Sequence, residues 1–172
     1  MEDLRSLIRD IPDFPQPGVV FKDITPVLAD PDGFSMLVKA MADPFRDAGV
    51  SQVAGIEARG FTLAAPVALE LGAGFVPIRK PGKLPYETIR QDYALEYGTD
   101  SLEVHVDAIE PGERVLLVDD VIATGGTAAA AVKLLEGIGA KVVGFSVFIE
   151  LVFLQGNAML DGVPIHALVR YD

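Results

Sequence analysis

Two neighbouring carboxylates, Asp119 and Asp120, stand just before a segment rich in glycine and threonine. That segment, residues 123–127, reads ATGGT and links a predicted buried strand to a predicted helix. Its free backbone N–H groups, the helix dipole and the threonine hydroxyls are suited to holding a phosphate. The carboxylates cannot bind a phosphate directly, but they accept hydrogen bonds from a vicinal diol and can ligate a metal ion carried by a substrate. A phosphate beside a diol indicates a ribose 5-phosphate.

A simpler explanation of this segment stays open, because a glycine pair can be an ordinary turn and an aspartate pair a solvated strand end. Two acidic side chains beside the glycine pair repel each other unless a ligand uses them, which favours a binding site. Neither G-x-x-x-x-G-K-[ST] nor G-x-G-x-x-G occurs in the chain. A P-loop or a dinucleotide site is therefore a poor alternative.

The composition restricts the classes of partner. Lys and Arg number 14 and Asp and Glu number 25, for a net charge of −11, which argues against binding to the phosphate backbone of nucleic acid. The longest apolar stretch, residues 142–154, is too short to cross a bilayer, and the first ten residues lack the apolar region of a secretory signal. No cysteine is present, which excludes disulfides and fits a reducing compartment. We expect a cytoplasmic protein with no nucleic-acid or membrane partner.

One basic segment is the exception to this acidity. Arg79, Lys80 and Lys83 lie within seven residues that also hold two prolines and a glycine, so an exposed loop is expected. Three cations in such a loop are usually solvated, but a cluster of cations is also what a departing polyanion requires.

The hydrophobic pattern predicts one α/β domain over residues 1–172. Two strand–helix–strand units indicate an open, mainly parallel twisted sheet flanked by helices. A third pattern, two alternating runs around Gly98, Thr99 and Asp100, indicates an antiparallel hairpin. With the basic loop, this hairpin forms a predicted lid, residues 79–106. The predicted strands are residues 53–56, 74–78, 93–97, 102–106, 115–118 and 142–149, with a short extended piece at 19–23, and the predicted helices are 4–11, 34–48, 61–71 and 127–138.

Residues 115–127, VLLVDDVIATGGT, resemble the phosphoribosyl pyrophosphate signature of the type I phosphoribosyltransferases. The resemblance covers roughly residues 12–155, because PGVVFKDITPVL, EARGF, PVALELG, VPIRKPGKLP and YALEYGTDSLE occur in the order found in that family. It implies the family's fold, with a small N-terminal base-binding hood, residues 1–33. It also implies transfer of ribose 5-phosphate from phosphoribosyl pyrophosphate to N9 of adenine, with Mg²⁺ carried by the pyrophosphate near Asp119 and Asp120. A homodimer is implied as well.

The resemblance also assigns the residues that would hold the donor. The ribose hydroxyls fall to Asp119 and Asp120, and the pyrophosphate falls to the turn of residues 57–59, where the family commonly has a cis peptide between the first two residues. Arg59 and Lys83 would stabilise the leaving group, and Arg79 would reach it from the neighbouring subunit. The resemblance assigns the 5-phosphate to Ala123, Thr124, Gly125, Gly126 and Thr127, and the pyrophosphate turn to Glu57, Ala58 and Arg59.

For the base, the resemblance implies an adenine ring held between Phe21 and Leu151, with main-chain groups near Val20 and Lys22 contacting its edge. Many relatives carry Arg where this chain has Lys22, and Lys lacks the planar guanidinium that binds two acceptors at once. Glu96 in the lid would exchange a proton with the purine, with Tyr97 beside it. Without the resemblance, Phe21 and Leu151 would be interpreted as core residues and Glu96 as an exposed residue of the hairpin. His105 and His166 are expected to be structural.

Three alternative functions stay open at this point. The first is a phosphoribosyltransferase that uses another base. The second is a regulator that keeps the phosphoribosyl pyrophosphate site without catalysis, which the net charge and the basic loop disfavour. The third is an unrelated α/β binding protein.

Overall fold

The computed structural model describes residues 2–94 and 98–172. Its central feature is a five-stranded, wholly parallel sheet in the order β4-β3-β7-β8-β9. The strands are β3 (Gln52–Ile56), β4 (Gly74–Ile78), β7 (Arg114–Ile122), β8 (Lys141–Leu151) and β9 (Ile165–Tyr171). The predicted α/β class with a mainly parallel sheet is confirmed. Pro77 lies in β4 at the edge of the sheet, where the missing N–H leaves no ladder bond unmade.

Helices cover both faces of this sheet. α3 (Pro31–Ala42) and α4 (Arg59–Leu71) lie on one face, and α5 (Gly126–Gly137) lies on the other. Successive residues of β7 therefore enter different cores, with Leu116 on the side of α4 and Leu117 on the side of α5. A strand buried on both faces reads as a continuous apolar run, which is why it was recognisable in the sequence.

The N-terminal region departs from the sequence prediction. A helix was predicted over residues 4–11, but α1 spans only Glu2–Ser6. Residues Arg9–Pro12 form β1, which pairs antiparallel with β2 (Val20–Asp23). The apolar spacing in this segment suited a helix, whereas the pairing with β2, which lies about ten residues further on, is a non-local contact that the spacing cannot reveal.

One other predicted helix, residues 34–48, needs correction at both ends. α3 begins at Pro31 rather than Phe34, because the Asp30 side chain caps it by accepting a hydrogen bond of 2.6 Å from the Gly33 N–H. It ends at Ala42 and is followed by a 3₁₀ turn, Asp43–Phe45, rather than continuing to residue 48. A short helix, α2 (Thr25–Ala29), was not predicted.

The predicted hairpin is present but displaced. β5 spans Thr88–Ala94 and pairs antiparallel with β6, Thr99–His105, whereas the prediction began the first strand at Tyr93 and assigned Thr99 to the turn. The strand begins earlier because Ile89 packs with Tyr93 against the core beside α5. Residues 95–97, which include the predicted Glu96 and Tyr97, lie outside the described residues.

The strand that carries the acidic pair is longer than predicted. β7 continues through Asp119 and Asp120 to Ile122, so both carboxylates belong to the strand and not to the turn after it. Asp119 and Ile122 are paired with Val147 and Glu150 of β8, so the turn is limited to residues 123–125. Within the described residues, no helix is both long and apolar enough to span a bilayer.

Candidate active site

A cavity of about 420 Å³ lies at the carboxyl edge of the sheet, between the ends of β3 and β7 and the start of α5. Ligands of open α/β sheets bind at this edge. The cavity brings together most of the residues predicted to bind the donor. The predicted residues that line it are Glu57, Ala58, Arg59, Asp119, Asp120, Ala123, Thr124, Gly125, Gly126 and Thr127, and those that do not are Val20, Phe21, Lys22, Arg79, Lys83 and Leu151.

The cavity floor is the glycine turn that leads into α5. Gly125 has φ +81°, in the left-handed region that favours glycine, and α5 begins at Gly126. The turn also lies against a later segment, because a Cβ on Gly156 would collide with the carbonyl oxygen of Ala123 and lie 2.8 Å from the Gly125 nitrogen. Gly156 therefore packs directly against the backbone of the glycine turn and helps to hold its position. No sequence signal pointed to it.

The two carboxylates at the end of β7 have different surroundings. The side chain of Asp120 is only 6% exposed and accepts a hydrogen bond of 2.5 Å from Nε of Arg59. Asp119 Oδ1 accepts a hydrogen bond of 2.9 Å from the Asp120 N–H and lies against Gly60, where a Cβ would be 2.9 Å from it. Desolvation, and then repulsion from Asp120, raises the pKa of Asp119 well above its usual range.

In the turn between β3 and α4, the carboxylate of Glu57 accepts hydrogen bonds from three residues of the basic loop. Glu57 accepts hydrogen bonds from the Lys80 N–H at 2.9 Å, from Lys83 Nζ at 3.1 Å and from Arg79 Nε at 3.2 Å. Burial alone would raise the pKa of Glu57, but the Lys80 N–H, Lys83 and Arg79 outweigh it, and the net shift is downward. The Glu57–Ala58 peptide is cis, as the resemblance implied.

Lys80 connects this loop to the hairpin and is a cavity residue that the sequence analysis did not assign. Its Nζ donates a hydrogen bond of 2.9 Å to the Tyr93 hydroxyl and forms an ion pair with Asp100. The Tyr93 hydroxyl lies 3.5 Å from Thr127 Oγ1 of the turn. The position of Lys80 next to Arg79 in the basic segment was the sequence signal that could have identified Lys80 as a site residue.

The predicted base residues lie outside the cavity lining. The Phe21 ring centroid is 5.1 Å from the guanidinium carbon of Arg59, so Arg59 connects the hood to the acidic pair. Leu151 is the last residue of β8 and is paired with Tyr171 of β9. The Lys22 side chain is directed toward Asp10, at 2.7 Å, and the Tyr171 ring.

Comparison with known proteins matches this architecture to one domain family. Residues 37–155 fit the model of the phosphoribosyl transferase domain, and this range includes the turn after β3, the acidic pair and the glycine turn. The class defined by the fold and the site is therefore that of the phosphoribosyltransferases.

Curated relatives and solved structures narrow this class. An adenine phosphoribosyltransferase of Acidothermus cellulolyticus is 59% identical over 95% of this chain and 92% of its own length, and one of Frankia alni is 62% identical over 94% and 87%. The crystal structure of adenine phosphoribosyltransferase from Rhodothermus marinus has a TM-score of 0.95 at 53% identity, covering 99% of this chain and 97% of that one. The Saccharomyces cerevisiae enzyme, complexed with an imino-altritol bisphosphate and adenine, has a TM-score of 0.93 at 38% identity, covering 97% of each chain. The chain belongs to the adenine phosphoribosyltransferase family.

Proposed function

We propose that this chain transfers ribose 5-phosphate from phosphoribosyl pyrophosphate to N9 of adenine, which yields AMP and pyrophosphate. The observation that carries the proposal is the single cavity in which an acidic pair, a glycine turn at a helix start and the Glu57–Arg59 turn meet. Such a cavity offers separate places for a diol, a phosphate and a second anionic group. The curated relatives of 54–62% identity that bear this enzyme's name support the choice of adenine. The reaction would serve purine salvage.

The donor's ribose 5-phosphate end would be held at the floor of the cavity. The backbone N–H groups of residues 123–127 and the start of α5 bind the 5-phosphate. Asp119 and Asp120 accept hydrogen bonds from the ribose hydroxyls. Magnesium would enter as part of the donor complex, and the oxygen ligands of the acidic pair fit this hard cation.

The leaving group would be stabilised by the cations around the β3–α4 turn. Arg59 lines the cavity, and Lys83 reaches the neighbouring Glu57. Negative charge develops on pyrophosphate as the bond to C1 of the ribose breaks, so preorganised cations lower the barrier. Arg79 would serve the active site of a second subunit in a homodimer.

The base would be held between Phe21 and Leu151, with main-chain groups of Val20 and Lys22 at its edge. Glu96 would take up the proton that the purine loses, and Tyr97 would lie beside it. Closure of the lid, residues 79–106, would exclude water and so prevent hydrolysis of the donor. We also propose a cytoplasmic location, which the lack of cysteine supports.

The first experiment supplies purified protein with Mg²⁺, phosphoribosyl pyrophosphate and one base at a time: adenine, guanine, hypoxanthine, xanthine or orotate. We expect AMP and pyrophosphate with adenine only. Turnover of another base would overturn the choice of adenine but keep the reaction. Tight donor binding without turnover would indicate a regulator, and no donor binding would overturn the whole proposal.

A variant pair tests the donor site in the same assay. Asp120→Asn should lower kcat/KM by about 100-fold, because losing a hydrogen bond to a charged group has an effect of about 1.5–3 kcal/mol. Asp161→Asn, at an exposed loop position, is the matched control and should retain full activity. Equal activity of the two variants would contradict the placement of the ribose on Asp120.

A further inference from the structure

The hood strand β2 presents successive side chains to different surroundings. Phe21 faces Arg59 at 5.1 Å and Phe14, whose ring centroid is 5.2 Å away. Lys22, the next residue, is directed to the other side, as alternation along a strand requires. There its Nζ lies 2.7 Å from Asp10 Oδ1 and 4.1 Å from the centroid of the Tyr171 ring. Lys22 thus contacts the C-terminal strand, β9.

Tyr171 is held from a second direction as well. The guanidinium carbon of Arg5 lies 4.8 Å from the centroid of the same ring. Two cations near one aromatic ring are each attracted to its π electrons. The Lys22 side chain is only 14% exposed, so its contact with the ring is partly shielded from water, where such attraction is stronger.

The backbone of Tyr171 is fixed to the other wall of the proposed base site. Tyr171 is paired with Leu151 in the parallel ladder of β8 and β9. The preceding pair, Glu150 and Arg170, is joined by an ion pair of 2.9 Å in which the Glu150 side chain is 7% exposed. One residue therefore contacts both walls, the hood through its ring and Leu151 through its backbone.

We propose that Tyr171 is a positioning residue for the base: its ring, in contact with Lys22, sets the distance between Phe21 and Leu151. This inference rests on the proposed function. The 5-phosphate turn and the acidic pair lie on other elements, so the ring governs binding of the base and not binding of the donor. Loss of the ring removes the contact of Lys22 with β9.

The test measures steady-state kinetics of Tyr171→Leu and Tyr171→Phe. We expect Tyr171→Leu to raise KM for adenine about 3- to 10-fold, the loss that one or two cation–π contacts predict. KM for phosphoribosyl pyrophosphate and kcat should stay within about twofold of wild type. Tyr171→Phe retains the ring and should restore the wild-type KM for adenine. Asp10→Asn, at an exposed carboxylate that holds Lys22, should give a smaller rise of the same kind.

Val169→Ala is the matched control for loss of stability. Val169 is a buried core residue, 4% exposed, that lies two positions before Tyr171 on the same face of the strand. Its truncation leaves the Tyr171 ring in place, so it should lower Tm without changing KM for adenine. The inference is overturned if Tyr171→Leu leaves KM for adenine unchanged, if both substrates' KM values rise together, or if Val169→Ala reproduces the effect. If the wild-type protein makes no AMP, the proposed function fails first and this inference fails with it.

Discussion

At the scale of single residues, Asp119 combines its proposed role in binding the ribose with an unfavourable environment. Its carboxyl group is desolvated and close to Asp120, and both factors raise its pKa. The folded protein therefore holds a proton on Asp119 more tightly than the unfolded chain does. Stability from this group is present at low pH and is lost as pH rises through the raised folded-state pKa. The desolvated carboxyl group therefore becomes increasingly unfavourable to the fold as pH rises, which is expected where binding sets the residue type.

Asp119→Asn should therefore stabilise the protein while it impairs donor binding. Asparagine keeps the Oδ1 that accepts the Asp120 N–H and removes the charge. We expect a rise in Tm of about 2–4 °C at pH 7.5, since roughly 1 kcal/mol shifts Tm by that amount in a chain of this size. The gain should shrink as pH falls, because wild-type Asp119 then becomes protonated. Thermal unfolding across pH, with donor affinity measured by calorimetry, tests both parts. A Tm that stays unchanged or falls at pH 7.5 would contradict the destabilising role of this charge.

At the scale of elements, the glycine turn that we propose binds the 5-phosphate depends on a segment that follows β8. Gly156 begins a 3₁₀ turn, Gly156–Met159, and lies so close to residues 123–125 that no side chain fits between them. The glycine turn is therefore held in place by α5, which follows it in the chain, and by this segment, which packs against it.

Gly156→Ala should displace the glycine turn and weaken donor binding. The added Cβ meets backbone atoms, which cannot rotate away as a side chain can, and such overpacking has an effect of about 1–3 kcal/mol. We expect KM for phosphoribosyl pyrophosphate to rise about 10-fold or more, with a smaller change in KM for adenine.

Gly137→Ala is the control for this substitution. Gly137 is the last residue of α5, and its Cβ would make only ordinary contact, at 3.9 Å from Ile89. It should leave both KM values unchanged and stabilise the helix slightly. If Gly156→Ala binds the donor as tightly as Gly137→Ala does, the supporting role of Gly156 is wrong.

At the scale of the whole molecule, the proposed homodimer makes a testable statement about which active site Arg79 serves. Within one chain, Arg79 lies against Glu57, at 3.2 Å, and the Lys83 carbonyl oxygen, also at 3.2 Å. The proposed homodimer assigns its charge to the neighbouring active site instead. The two arrangements predict different enzyme activities when two inactive variants are mixed.

Mixing Arg79→Ala with Asp120→Asn distinguishes these arrangements. If Arg79 acts across the dimer, each mixed dimer contains one complete site, and activity should return to about a quarter of the wild-type value after subunits exchange at random. If Arg79 acts within its own chain, no complete site forms and activity stays at the level of the separate variants. Light scattering of the wild-type protein establishes whether a dimer is present. A monomer, or a mixture without recovered activity, would contradict the role across subunits.

The sequence alone determined the parallel sheet and the acidic pair with its glycine turn. These features are encoded by neighbouring residues, because an apolar strand buried on both faces and a glycine turn before a helix each lie within about a dozen positions. The strand β7 was recognised as far as Val118, and its extension to Ile122 came from pairing with β8. The cis peptide at Glu57–Ala58 was expected from the resemblance alone.

Only the tertiary structure decided which distant segments support the site. The contacts of Gly156 with the glycine turn, of Lys80 with Tyr93, and of Tyr171 with Lys22 join residues that lie 13 to about 150 positions apart. Residues 9–12 became a strand for the same reason, since their partner is β2. Local spacing records which face of an element is apolar, but it does not record which element will cover that face. The packing of the complete chain decides that.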